Sequence, residues 1–166
     1  MGDVESITWH LDRDSRIGYV CTVKQIAIAS VLILLALSAW GDIYEWETDL
    51  EAATEQAAEE EKHVFLYFAG SDWCGWCQRF KQEILDTRPF TEFSETHLVP
   101  VLIDFPREIE QSAEQEAYNR QLAERFGVQG FPTVYVLTPD EEIVLRSGYL
   151  EGGPANYVEH LRSGMQ

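Results

Sequence analysis

The sequence predicts an α/β sandwich, in which a central mixed β-sheet is covered by helices on both faces. Two continuous apolar runs of strand length, Val64–Ala69 and Leu98–Ile103, indicate strands buried on both faces. Segments with helical spacing of apolar residues precede and separate these runs. Two short apolar runs on either side of a turn signal predict a closing hairpin. A last helix is predicted after it, which completes the order of elements. This order of elements indicates one domain.

The first helix is predicted from a capping box. Thr48 and Glu51 have the required spacing. The apolar face of this helix contains Leu50, Ala53, Ala57 and Ala58. After the first strand, Gly70-Ser71-Asp72 forms a loop. A second helix is then predicted from Cys74 to Asp86, ended by Pro89; its apolar residues at spacings of four are Trp76, Phe80 and Ile84.

The second half of the chain continues the alternation. Pro100 lies inside the second predicted strand and argues against it, because proline donates no ladder hydrogen bond and prefers sheet edges or strand starts. A third helix ends at Gly127, the expected C-cap; its apolar face contains Ala113, Ala117, Tyr118, Leu122 and Phe126. The runs Thr133–Leu137 and Ile143–Leu145 form the hairpin. Pro154 opens the last helix, whose inward residues are Tyr157, Val158 and Leu161.

Composition excludes several classes of function. The 166 residues include 12 Lys and Arg against 29 Asp and Glu, a net charge of -17. Such an acidic protein repels phosphate backbones, so we expect no nucleic-acid partner. Three cysteines are too few for a scaffold built on disulfides.

The N-terminal segment has the pattern of an export signal. Residues 25–41 are uncharged, Lys24 precedes them, and Ala39-Trp40-Gly41 ends the run with small residues at its first and third positions. We expect residues 1–41 to be a signal peptide and residues 42–166 the mature domain, in the periplasm or secreted. The acidic residues ahead of Lys24 fit this pattern poorly, and a start near Val20 would remove them. The alternative is a retained membrane anchor at residues 25–41, with the domain on the extracytoplasmic side; only then is a membrane expected as a partner.

Two of the three cysteines lie in one motif, Trp73-Cys74-Gly75-Trp76-Cys77, where the first strand gives way to a helix. Spacing of i and i+3 on a first helical turn brings two sulfurs within disulfide reach. The N–H groups and dipole at a helix N-terminus favour a thiolate, the attacking species in disulfide exchange. The motif therefore predicts a redox pair, with Cys74 as the exposed nucleophile and Cys77 as the deeper resolving thiol.

Other interpretations of this motif are weaker. A zinc site needs four ligands, and His63, His97 and His160 have no finger-like spacing, so we predict no metal and no cofactor. A purely structural disulfide would close a very short loop and stabilise the fold little. Trp76 could either fill the core or provide an apolar surface for an extended polypeptide, and the sequence leaves both open.

These residues together resemble the thioredoxin superfamily. A second motif, Gly130-Phe131-Pro132-Thr133 before a strand, is similar to the Gly-x-Pro-Thr segment of that family. The resemblance covers about residues 43–161 and implies a thioredoxin fold. It also implies that Pro132 is cis beside the cysteines and that Phe131 offers main-chain groups to an extended peptide. The expected substrate-binding residues are Trp73, Gly75, Trp76, Phe131, Pro132 and Thr133.

The chain departs from thioredoxin around the motif. Gly75-Trp76 replaces the usual Gly-Pro between the cysteines, so the redox potential cannot be carried over. Where thioredoxin has a buried aspartate and a lysine, this chain has Phe68 and Pro100. The neighbouring Tyr67 supplies no acid either. The group that accepts the Cys77 proton is left open between Asp72 or Glu83 acting through water and bulk solvent.

The segment from Asp104 to Gly127 is longer than its thioredoxin counterpart and rich in glutamate. We expect the additional residues to lengthen the third helix and its acidic face. That face is either a solvated surface or a docking helix for a partner.

The sequence therefore predicts a thiol–disulfide oxidoreductase that exchanges disulfides with cysteine-containing protein substrates and an unidentified redox partner. Direction is open, because 30 mV of potential corresponds to only about 1.4 kcal/mol. Two alternatives remain: a peptide-binding module of the same fold with incidental cysteines, and a membrane-tethered electron-transfer component.

Overall fold

The computed structural model describes residues 46–166, and the predictions for residues 1–41 lie outside the described residues. In chain order the elements are α1 (Leu50–Glu59), β1 (His63–Ala69), α2 (Gly75–Phe80), a π-helical turn (Lys81–Leu85), α3 (Arg88–His97), β2 (Leu98–Asp104), α4 (Ala113–Arg125), β3 (Thr133–Leu137), β4 (Ile143–Ser147) and α5 (Gly153–Gly164). Across residues 46–166, every helix is too short or too polar to cross a bilayer.

The strands form a mixed sheet in the order β2-β1-β3-β4. β1 pairs in parallel with β2 and antiparallel with β3, and β3 pairs antiparallel with β4, which confirms the predicted hairpin. The register places Ala69 opposite Asp104 and Phe68 opposite Thr133. Because the carboxyl ends of β1 and β2 meet at one edge of the sheet, the loops that follow them lie side by side.

Helices cover both faces of the sheet, as predicted, because successive residues of a strand point to opposite faces. On one face Phe65 and Tyr67 pack with α2, α3 and α5 around Phe80, Phe90 and Tyr157. On the other face Leu66 and other β1 residues pack against α1 and α4. The helix residues buried on this face are Leu50, Ala53 and Ala57 of α1 and Leu122 of α4. The central strand is thus buried on both sides, which explains its continuous apolar run.

Two predicted element ends were wrong. The N-cap of α1 is Asp49, not Thr48: its carboxylate accepts a hydrogen bond from the Ala52 N–H at 3.0 Å. Pro89 does not end the second helix but lies in the first turn of α3, a helix that the sequence pattern did not predict. Proline is tolerated there because the first N–H groups of a helix have no partner within the helix.

Pro100 fits β2 because β2 is an edge strand. Its carbonyl accepts the Glu47 N–H at 2.8 Å, on the side away from β1. The N–H and carbonyl of a strand residue point to the same side, so the missing donor of Pro100 removes no bond to β1. The Leu102 N–H donates to the Glu47 carbonyl at 2.8 Å and completes a short parallel bridge.

The stretch between β2 and α4 differs from the expected lengthened helix. Residues 105–112 form a non-helical loop, and α4 begins only after the N-cap Ser112. Gly127 has a φ of 62°, in the left-handed region expected of a C-cap glycine. The additional residues therefore lie next to the loop that leads from β1 to the cysteines.

Candidate active site

Cys74 and Cys77 form a disulfide at the start of α2, with their Cα atoms 5.2 Å apart. Cys74 is the N-cap, and its Sγ accepts a hydrogen bond from the Cys77 N–H at 3.2 Å. Cys74 is 7% exposed and Cys77 is 2% exposed. Both cysteines are therefore largely buried, so Cys74 is less exposed than predicted, although it is the more accessible of the two.

One side of the disulfide is formed by Trp73, Phe105, Arg107 and Phe131, which we call the Trp73 flank. The Trp73 and Phe131 ring centroids are 6.0 Å apart, and Phe131 stacks on Phe105 at 5.1 Å. The Trp73 Nε1–H donates to the Phe105 carbonyl at 2.7 Å. The Arg107 guanidinium lies over the indole, 3.8 Å from the ring centroid. Trp73 is 39% exposed, so this flank borders solvent beside Cys74.

Asp72 connects the cysteine loop to the loop after β2. Its carboxylate accepts backbone hydrogen bonds from Arg107, Glu108 and Ile109, with the shortest at 2.6 Å from Glu108. Desolvation acts to raise the pKa of Asp72, but these backbone hydrogen bonds outweigh it and hold the pKa below its usual value. The carboxylate therefore stays ionised and holds three consecutive N–H groups.

Ser71 and Asp104 form a second connection between the same two loops. Asp104, at the end of β2, accepts hydrogen bonds from the Ser71 N–H at 2.8 Å and from the Ser71 hydroxyl at 2.5 Å. The Asn119 amide of α4 donates to the Asp104 carbonyl at 2.8 Å. The loop before Cys74 is thus bound to β2, and through β2 to α4.

The other side of the disulfide is formed by Trp76, Arg79, Glu83 and Tyr149, the Trp76 flank. Trp76 is 56% exposed and its ring centroid is 5.5 Å from that of Tyr149. Arg79 lies over both rings, at 5.4 and 5.1 Å, and its Nε donates to Glu83 at 2.8 Å. The Tyr149 hydroxyl donates to the second Glu83 oxygen at 2.6 Å. These two bonds, led by that of Tyr149, lower the pKa of Glu83.

The Gly130-Phe131-Pro132-Thr133 segment lies before β3, and the Phe131–Pro132 bond is cis, as the resemblance implied. Phe131 packs against the core cluster that contains both cysteines. Thr133 is the buried first residue of β3, and its hydroxyl donates to the Gly130 carbonyl at 2.7 Å. Gly75 is exposed at the first position of α2, and a Cβ added there would meet nothing within 4 Å.

An apolar cavity of about 160 Å³ has Cys77 in its lining. Its lining includes Tyr67 and Leu102 from the sheet and Lys81 from the π-helical turn. The Tyr67 hydroxyl donates to the Cys77 carbonyl at 3.4 Å, and burial raises the pKa of Tyr67 well above its usual value. This hydroxyl is therefore a neutral donor next to the deeper cysteine.

Neither carboxylate considered for the Cys77 proton contacts that cysteine. Asp72 is bonded to the N–H groups of residues 107–109, and Glu83 is bonded to Arg79 and Tyr149. Asp72 therefore holds the loop of the Trp73 flank, and Glu83 holds two side chains of the Trp76 flank. Sequence reasoning missed these flank partners because they lie far along the chain: Arg107 is 35 residues from Asp72, and Tyr149 is 66 residues from Glu83. No local spacing in the sequence connects residues so far apart.

Comparison with known proteins agrees with this arrangement. The family model of a thioredoxin-like domain matches residues 50–162. Over 122 residues the chain is 34% identical to the disulfide bond reductase DsbH of Chlamydia pneumoniae, covering 74% of this chain and 73% of that protein. Over 136 residues it is 24% identical to the thioredoxin-related protein DsbJ of the same organism, covering 77% of this chain but only 39% of that protein.

Solved structures give the same result. A DsbH oxidoreductase superimposes with a TM-score of 0.69 at 34% identity, over 73% of this chain and 83% of that one. A thioredoxin from Thermus thermophilus superimposes with a TM-score of 0.55 at 21% identity, over 73% and 87% of the two chains, and shares the fold. With a Cys-x-x-Cys disulfide capping α2, the chain belongs to the thioredoxin-like family and is a thiol–disulfide oxidoreductase.

Proposed function

We propose that this chain is a protein-disulfide reductase that acts outside the cytoplasm through the Cys74–Cys77 couple. The observation that carries the proposal is the position of Cys74 as the N-cap of α2, with its sulfur accepting the Cys77 N–H. In the reduced protein that N–H is available to a Cys74 thiolate. The similarity to a protein named as a disulfide bond reductase supports the reducing direction.

The reaction transfers two electrons from the chain to its substrate. The Cys74 thiolate attacks one sulfur of a substrate disulfide, the substrate S–S bond breaks, and the released substrate thiolate takes a proton. Cys77 then loses its proton and attacks the Cys74 sulfur. A Cys74–Cys77 bond forms, and the second substrate thiolate leaves and is protonated. A dithiol redox partner returns the couple to its reduced form.

The surface around the couple suits an extended polypeptide. Trp73 and Trp76 are exposed and Phe131 is half-buried, so they provide apolar area around Cys74, and a Cβ on Gly75 would meet nothing within 4 Å. We propose that the main chain before Pro132 pairs with the substrate and that Thr133 supports that segment through its bond to Gly130. Partly exposed tryptophans combine large contact area with low entropy cost, which favours binding of varied sequences.

We further propose that residues 1–41 direct export and that residues 42–166 form the working domain. The uncharged run at residues 25–41 after Lys24 supports this division. The mass of the protein isolated from its host tests it: a mass that lacks the first 41 residues agrees with a cleaved signal, and the full mass agrees with a retained anchor.

Single cysteine substitutions test the activity. Cys74→Ser should abolish reduction of insulin disulfides, because the attacking thiolate is gone, and Cys77→Ser should accumulate mixed disulfides that a non-reducing gel resolves. In the full-length chain, Cys21→Ser, outside the motif, is the matched control and should keep full activity. Full insulin reduction by Cys74→Ser would overturn the proposal, as would unchanged cellular function of the Cys74→Ser/Cys77→Ser double variant.

A further inference from the structure

We propose that Arg107 forms a binding site for an acidic side chain of the polypeptide substrate, beside the substrate cysteine that reacts with Cys74. This inference rests on the proposed function, because it names the class of substrate that the same site prefers. The ligand is the carboxylate of an aspartate or glutamate close to the reacting cysteine.

The position of Arg107 places its charge at the reaction surface. Its guanidinium carbon is 3.8 Å from the centroid of the Trp73 ring, and Trp73 directly precedes Cys74 in the chain. Phe131, the residue expected to present its main chain to substrate, makes an edge-to-face contact with the same indole. A substrate that crosses Cys74 toward Phe131 therefore passes the Arg107 side chain.

Backbone contacts hold the segment that carries Arg107. The N–H groups of residues 107–109 donate to Asp72, and the Phe105 N–H donates to the Ala69 carbonyl at 2.8 Å. Trp73 adds the bond from its indole to the Phe105 carbonyl. The guanidinium is thus positioned by its backbone and its stacking on Trp73, so part of the ordering cost of binding is already met before a ligand arrives.

The charge of Arg107 is not neutralised by a partner. Among residues 46–166 its side chain forms no ion pair, whereas Arg79 on the other flank is paired with Glu83. The Asp72 carboxylate, which contacts this loop, accepts the backbone N–H groups of residues 107–109. In a chain with a net charge of -17, Arg107 is an exposed cationic side chain stacked on the residue that precedes Cys74.

The geometry of a stacked guanidinium selects the ligand. The guanidinium carbon lies over the indole ring, and a planar guanidinium carries a fork of N–H groups that can donate two parallel hydrogen bonds. A carboxylate matches that pair of donors, while an amide provides one neutral acceptor and an ammonium is repelled. The acidic remainder of the surface repels a strongly negative substrate, so we expect a local acidic residue rather than an acidic protein.

Matched peptides test this site. Three peptides, each with an intramolecular disulfide and an amidated C-terminus, differ only in a Glu, Gln or Lys next to one cysteine. Wild-type protein should reduce the Glu peptide with a kcat/KM about fivefold above the Gln peptide, the size of an exposed charge pair, and the Lys peptide should be slowest. The preference should shrink at high salt.

Variants of arginine identify the source of the preference. The Arg107→Gln protein should still reduce insulin but should have the same kcat/KM for the Glu and the Gln peptide. The Arg107→Lys protein should keep only part of the preference for the Glu peptide, because lysine lacks the planar pair of donors. Arg120→Gln is the matched control, since Arg120 is an exposed arginine paired with Glu116 on α4, and it should behave as wild type.

Three results would overturn the inference. The first is that wild-type protein reduces insulin but has equal kcat/KM values for the Glu and Gln peptides. The second is that the preference for the Glu peptide survives in Arg107→Gln. The third is that Arg120→Gln loses the preference as fully as Arg107→Gln does. Absence of all reduction by wild-type protein would instead overturn the proposed function, and the inference with it.

Discussion

The two flanks of the disulfide use the same residue types in different ways. On each side an exposed tryptophan next to a cysteine carries an arginine on its ring. On the Trp76 flank Arg79 is paired with Glu83, which also accepts the Tyr149 hydroxyl, so the charge is cancelled within the network. On the Trp73 flank the acidic residue, Asp72, binds backbone N–H groups, and Arg107 keeps its charge.

This difference shows that an arginine is left to bind a ligand when the neighbouring carboxylate accepts other hydrogen bonds. Glu83 is on the same helical stretch as Arg79, four residues later, and the pair forms within local structure. Asp72 is at a loop and caps N–H groups that would otherwise lack partners. One flank is therefore an apolar, electrically balanced surface, while the other combines an apolar surface with an available cation.

The largest expected effect comes from displacing the indole of the Trp73 flank. In Gly70→Ala the new Cβ would lie 2.5 Å from the Trp73 ring, so the indole must move and lose its bond to Phe105. We expect the free energy of unfolding to fall by about 1–3 kcal/mol and kcat/KM for insulin to fall several-fold. Urea unfolding and the insulin assay measure these changes.

Gly130→Ala is the control for this substitution, because its Cβ would meet nothing within 4 Å. It should match wild type in the free energy of unfolding, and it serves as the control for that measurement alone because Gly130 lies in the segment proposed to pair with substrate. Wild-type activity in Gly70→Ala would mean that the position of the Trp73 indole does not matter for substrate.

An intermediate effect is expected from converting the Trp76 flank into a second charged flank. Glu83→Gln removes the negative charge that balances Arg79 but keeps an acceptor for Tyr149. The preference for the Glu peptide over the Gln peptide should then rise by about twofold to threefold, within the range of an exposed charge pair. The measurement is the ratio of the two kcat/KM values.

Glu92→Gln is the matched control here, since Glu92 makes a similar i,i+4 pair with Arg88 on α3, outside both flanks. It should leave the ratio unchanged. An unchanged ratio in Glu83→Gln would show that pairing with Glu83 is not what separates the two flanks.

The smallest effect is a pH dependence of the Asp72 contact. Its folded-state pKa lies below the usual 3.8, so the carboxylate stabilises the fold above about pH 4 and this contribution is lost as the pH falls through the folded-state pKa. Asp72→Asn should therefore lower the urea midpoint at pH 7 and differ less from wild type at pH 3.

Asp140→Asn, at the exposed β3–β4 turn, provides the control and should shift the midpoint little at either pH. A constant difference between wild type and Asp72→Asn at both pH values would contradict the role of the ionised carboxylate.

Local patterns predicted the parts of the molecule that local chemistry decides. The apolar run of β1 indicated a strand covered on both faces, and residues of both its faces are buried. The spacing of Cys74 and Cys77 indicated a disulfide, which the structure contains. The helix α3 was missed although Phe90, Phe93 and His97 have helical spacing, because Pro89 was interpreted as a stop and not as a first-turn residue.

The sequence by itself determined the sheet, the helix that starts at the cysteines and the redox chemistry that this position favours, since each depends on residues within one turn or one strand. Only the tertiary structure decided which side of the disulfide carries a free charge. Parallel pairing of β1 with β2 brings the loop of Asp72 next to that of Arg107, 35 residues later, and packing places the guanidinium on Trp73. Such contacts are set by chain topology. The sequence could not show them because the residues that meet there share no local pattern.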